Sequence, residues 1–73
     1  MYKNKIRLDT FSQVTEFVEL VTDLDGEIIL TDEDNNFKVS ARSMLGAMYA
    51  LEWKDLYVVS EYDITTKILK FVI

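Results

Sequence analysis

Phe11, Val14, Phe17, Val18, Val21 and Leu24 recur at the three- and four-residue spacing of an α-helix, and no other feature constrains the fold of this chain as tightly. Thr10-Phe11-Ser12-Gln13 at its start has the form of a capping box, with Thr10 as N-cap and Gln13 three residues on. Asp25-Gly26 follows, and glycine tolerates the left-handed conformation that ends helices. Glu16, Glu19 and Asp23 lie off the stripe. A helix with one apolar face must bury that face against another layer.

The remaining segments supply that layer. Lys5-Ile6-Arg7-Leu8 alternates charged and apolar residues, the period of a half-buried strand. Glu27–Thr31 reads as a buried strand through Ile28-Ile29-Leu30. The polar turn 32–36 separates it from Phe37–Ala41, which alternates again, so the two form a β-hairpin. A second helix is expected from Met44 to Glu52 with Ser43 as N-cap. A fourth strand covers Leu56–Val59. Asp63 is placed as the cap of a third helix carrying Ile64, Ile68, Phe71 and Val72 on one side. The expected order is therefore βαββαβα in a single α+β domain, residues 1–73, with an antiparallel sheet covered on one face by helices. A ferredoxin-like split βαβ arrangement shares most of this order, and periodicity does not separate the two.

Composition narrows the possible functions. There is no cysteine and no histidine, so disulfides, thiolate metal sites and imidazole chemistry are all out of reach, and no metal site or cofactor is expected. Stability must come from apolar packing, for which 49% hydrophobic residues provide material. The net charge of −5 disfavours nucleic acid and anionic membranes as partners. No apolar run approaches the roughly 18 residues of a membrane span, and Met1–Leu8 does not read as a secretory leader, so a cytoplasmic monomer is expected.

Ala41-Arg42-Ser43-Met44-Leu45-Gly46-Ala47-Met48 leads from an alternating strand into a helix start. This segment, with the element order and spacing, resembles HPr, the phosphocarrier of the bacterial sugar phosphotransferase system. The resemblance covers nearly the whole chain and is strongest from Phe37 to Ala50. It implies an open-faced sandwich with a four-stranded sheet in the order 1-4-2-3 and three helices on one side. It also implies a phosphate-accepting histidine at the start of the first helix, followed by an arginine and a proline. Here Thr10 falls at or near the histidine position and Ser12 near the arginine, and the proline is missing.

That departure decides the expected chemistry. A phosphate relay needs a nucleophile that is neutral near pH 7 and forms a labile phosphoramidate, which imidazole provides. A threonine hydroxyl needs a base, for which only Asp9 is nearby, and its phosphate ester is too stable to pass on. Thr10 is therefore read as a helix cap, and the protein as a non-enzyme.

Within the family the serine matching Ser43 is phosphorylated by a dedicated kinase. A phosphate there would meet free backbone N–H groups at a helix start, with Arg42 alongside. Capping accounts for a serine at this position without any kinase. Residues matching Met44 and Met48 belong to an exposed docking patch in the family, and methionine suits such a surface. Helical spacing alone equally allows Met44, Leu45 and Met48 to be core. Gly46 costs a helix about 1 kcal/mol against alanine, which points to close packing on the sheet or the first helix.

The expected function is a non-catalytic, HPr-like protein-binding module related to the phosphotransferase system. It is expected to bind a protein partner, either a component of that system or a serine kinase, through the start of the first helix and the Ser43–Met48 face, with Arg42, Met44, Leu45 and Met48 in contact and Ser43 the candidate regulatory site. The alternatives are a carrier using Thr10 or Ser12, and an adaptor unconnected with sugar uptake. Asp23-Leu24-Asp25-Gly26 begins like a calcium loop but lacks the spacing and the terminal glutamate, so the acidic segments read as solvated turns. The sequence leaves open whether Trp53 and the tyrosines are core or interface, although Tyr62, between Glu61 and Asp63, is expected at the surface.

Overall fold

The computed structural model describes all 73 residues. Its elements are β1 (Tyr2–Ile6), α1 (Phe11–Thr22), β2 (Ile28–Thr31), β3 (Lys38–Ser40), α2 (Met44–Ala50), β4 (Leu56–Ser60) and a single 3-10 turn over Leu69–Phe71. The strands form one sheet in the order β1-β4-β2-β3, antiparallel throughout. β4 thus lies between β1 and β2, which settles the arrangement that periodicity left open.

Alternate strand positions divide the sheet into two faces. Ile6, Ile28, Leu30, Leu56 and Val58 are buried, and they pack with Val14, Phe17, Val18 and Val21 of α1 and with Ala47 and Ala50 of α2. The other face carries Lys3, Lys5, Ile29, Tyr57, Val59, Lys38 and Ser40 and has no helix over it. The apolar stripe from Phe11 to Leu24 is the α1 core face, although Phe11 at its start is exposed and Leu24 at its end is half-buried.

α1 begins as expected. Thr10 Oγ1 accepts the Gln13 N–H at 3.1 Å, and Gln13 Oε1 accepts those of Thr10 at 3.2 Å and Asp9 at 2.6 Å. Its end differs. The C-cap is Asp23, so Gly26 is not the residue that stops the helix. Gly26 lies further on with φ +81, in the turn that sends the chain into β2. β1 covers Tyr2–Ile6 and not Lys5–Leu8: it ends before Arg7, and its early start is masked in the sequence because a polar residue, Asn4, occupies an inner position. That amide is accommodated by a hydrogen bond from Thr65 Oγ1 at 3.3 Å.

The third helix is not formed, and the helical layer contains two helices. Isolated turns replace it, as the bonds from Lys67 N to Ile64 O and from Phe71 N to Ile68 O show. β-branched Ile64, Thr65 and Thr66 lower the helix propensity of the segment. The end of the chain also finds a competing partner. Arg7 N donates to Phe71 O at 2.9 Å and Ile73 N to Lys5 O at 3.0 Å, so Val72 bridges Ile6 on the free edge of β1. The apolar positions expected of that helix still reach the core, with Ile64, Ile68 and Phe71 buried. Pairing the edge also shields backbone groups that would otherwise be open to another strand.

Candidate functional site

The candidate residues sit at the two ends of the helical layer. α1 rises from the end of β1 and leads into β2, while α2 descends from the end of β3 toward β4. The two helices pack on each other in opposite directions. Thr10 and Ser12 therefore lie at the end where α2 finishes. Asp9 there shares a cleft of about 230 Å³ with Arg7, Leu51, Trp53, Lys54 and the Lys5–Asp55 ion pair (3.2 Å). The Asp55 carboxylate accepts a hydrogen bond from Lys5, and this, with its charge, raises the Lys5 pKa above 10.5. Ser43 lies at the other end of the layer. The 12 residues of α1 make it about 18 Å long, so the fold does not bring these two sets into one site.

Ser43 Oγ accepts the Gly46 N–H at 3.1 Å and caps α2, and its side chain is exposed. Gly46 explains itself by packing: a Cβ there would stand 3.1 Å from Val39 Cβ and 3.3 Å from Ser43 Cβ. The close approach anticipated for this glycine is therefore to β3. Ala47 and Ala50 face the core, which turns Met44, Leu45, Met48 and Tyr49 outward. Leu45 is 80% exposed, and Met44 and Met48 are each 37% exposed, so none of the three is core.

The Arg42 guanidinium is engaged with backbone acceptors. Nε donates to Val21 O at 3.2 Å, Nη1 to Gly26 O at 2.7 Å, and Nη2 to Leu24 O. Val21 belongs to the last turn of α1, and Leu24 and Gly26 to the turn just beyond it, where a cation suits the negative end of the α1 dipole. Arg42 thus fastens the approach to α2 onto the end of α1.

Sequence reasoning did not find the aromatic group at the end of the layer near Thr10. The Phe37 and Trp53 rings stack with centroids 6.0 Å apart and planes at 27°, and Tyr49 meets Trp53 edge-on at 6.4 Å. Alternation placed Phe37 with Val39 in a hairpin strand, but β3 begins only at Lys38. The Phe37 N–H instead donates to Asp32 Oδ1 at 3.1 Å, as does that of Asn36 at 2.7 Å. Asp32 therefore works as a turn residue, and no three acidic side chains converge as a metal site would require. Tyr62 is surface-exposed, and its hydroxyl accepts the Asp25 N–H at 3.0 Å.

Compared with known protein families, curated proteins and solved structures, the chain matches none. No helix is long and apolar enough to cross a membrane.

Proposed function

We propose that this chain is a non-catalytic, HPr-like binding module of the cytoplasm, related to the bacterial sugar phosphotransferase system, that docks a protein partner through the outer face of α2. The observation that carries the reading is the exposed row of Met44, Leu45 and Met48 beside exposed Ser43 on a four-stranded sheet of order β1-β4-β2-β3. Apolar side chains left outward by a helix whose alanines face the core are a surface suited to another protein, and methionine adapts to different partners. Phosphate on Ser43 would add a charge of about −1.5 to −2 at the margin of that surface and so regulate docking. Arg42 serves this reading by positioning α2, since its donors are already engaged with the end of α1.

The absence of histidine supports a module that binds without relaying phosphate. Incubation with phosphoenolpyruvate, the first enzyme of the phosphotransferase system and labelled phosphate tests this. The expected result is no label passing through the chain to a downstream acceptor. Acid-stable label on Thr10 or Ser12 that then moved onward would replace the proposal with a carrier. Capture of phosphotransferase proteins by the wild type but not by L45D/M48D is the expected companion result; equal capture by both would remove α2 as the docking face.

A further inference from the structure

Phe37, Trp53 and Tyr49 form a shelf at the end of α2 that the family reading does not use. Phe37 is 53% exposed and Tyr49 58%, with Trp53 half-buried between them. Large aromatics held together and left in water form an apolar patch that calls for a partner. The shelf borders a depression of about 250 Å³ whose other walls are Asp32, Glu33, Asp34, Asp55 and Lys54. The walls thus carry four acidic residues and one lysine. Asp32 is occupied by the Asn36 and Phe37 amides, and Asp55 by Lys5. Glu33 and Asp34 are exposed, and their carboxylates make no ion pair.

We infer that this shelf is a docking surface for an arginine-bearing segment of a partner protein. Ring faces attract cations, and the best of them is the indole of tryptophan. A guanidinium is planar and weakly hydrated, so it can lie on Trp53 or Phe37 while its N–H groups reach a carboxylate pairwise. A lysine ammonium offers no such plane. An acidic segment would meet Glu33 and Asp34 uncompensated, and a purely apolar one would leave those carboxylates without partners. Charge and shape together therefore select a cationic, planar head group. The chain already makes a contact of the same kind nearby, where Lys3 Nζ stands 4.8 Å from the Tyr57 ring centroid and donates to Glu33 O. This inference is independent of any kinship with sugar transport, and it concerns side chains other than Met44, Leu45 and Met48.

Trp53 is the sole tryptophan, so its emission follows the shelf and the adjoining Asp9 cleft, and the shelf variants tell the two apart. The probe is a blocked pentapeptide, Gly-Arg-Arg-Gly-Arg, set against a second peptide in which citrulline replaces each arginine. At low ionic strength the arginine peptide is expected to change Trp53 emission saturably, with the citrulline peptide at least five-fold weaker. F37A and the charge-removing pair E33Q/D34N are each expected to weaken binding at least five-fold. The pair E19Q/D25N removes the same charge from exposed positions off the shelf and should change affinity less than two-fold. Emission unmoved at millimolar peptide, or equal weakening by the two charge-removing pairs, would overturn the proposal; the latter would reduce the effect to net charge. Because neither charge-removing pair alters a core side chain, that comparison stands even if F37A loosens the hairpin.

Discussion

Arg42 Nε donates to the carbonyl of Val21 at 3.2 Å, so the residue that leads into α2 also closes the end of α1. The same guanidinium reaches Leu24 and Gly26. One side chain thereby joins the two helices on which the proposed docking faces depend. Hydrogen bonds from charged groups contribute about 1.5–3 kcal/mol each in favourable settings. R42A is expected to cost about 2–3 kcal/mol in urea unfolding, and R42K to recover less than half, because an ammonium cannot span three carbonyls. A loss below about 0.5 kcal/mol, within the range of ordinary surface substitutions, would show that the contact is not structural.

Thr10 is a cap in geometry and should behave as one in stability. T10A is expected to destabilise the fold by about 0.5–2 kcal/mol and T10S to restore most of that. Chemical denaturation of the three proteins is the check. If T10A unfolds at the wild-type midpoint, the capping box contributes nothing.

Gly46 offers a reversal of the usual rule. Replacing a helical glycine by alanine ordinarily stabilises by about 1 kcal/mol. Here the new Cβ would press on Val39 Cβ at 3.1 Å, and a Cβ cannot swing away by changing rotamer. G46A is therefore expected to lower the thermal midpoint, whereas a raised midpoint would mean that β3 yields to the added methyl.

Phe71 is 3% exposed and meets Phe17 edge-on at 5.4 Å and 88°. F71A should cost about 3–5 kcal/mol. Whole domains are stable by only about 5–15 kcal/mol, so the variant will be marginal. F71L should keep more than half of the lost stability. The measurement is urea unfolding followed by far-ultraviolet circular dichroism.

The Asp63 carboxyl is held below its ordinary pKa of 3.8 by Thr65, first through the side-chain hydroxyl, which it shares with Asn4 Oδ1, and second through the backbone N–H. The N–H donates to Asp63 Oδ1 at 2.9 Å. A carboxyl whose pKa is lowered by folding contributes stability above its unfolded value, and that contribution disappears as pH falls through the folded value. D63N is expected to be less stable than wild type at pH 6, with the gap closing as pH falls toward 2. A gap that stays constant with pH would assign the effect to shape and not to charge.

Local signals determined a large part of this protein. The α1 core face, the capping box at Thr10, the Ser43 cap and the core strands through Ile28 and Val58 were legible because each depends on neighbours within one turn or one strand. The absence of imidazole chemistry was equally legible, since it depends only on composition. Tertiary structure decided what depends on partners far along the chain. Ile64, Ile68 and Phe71 recur at a helical period, yet the segment forms turns, because Phe71 O and Ile73 N pair with Arg7 and Lys5, more than 60 residues earlier. Arg42 follows the same logic: sequence places it beside Ser43, but its donors find carbonyls in the last turn of α1 and the turn that follows it. Phe37 alternates like a core residue and instead stacks on Trp53, which arrives from beyond α2. Spacing along a chain specifies which faces must be buried. Which of two competing surfaces covers them is settled only when distant backbone and ring partners come within reach.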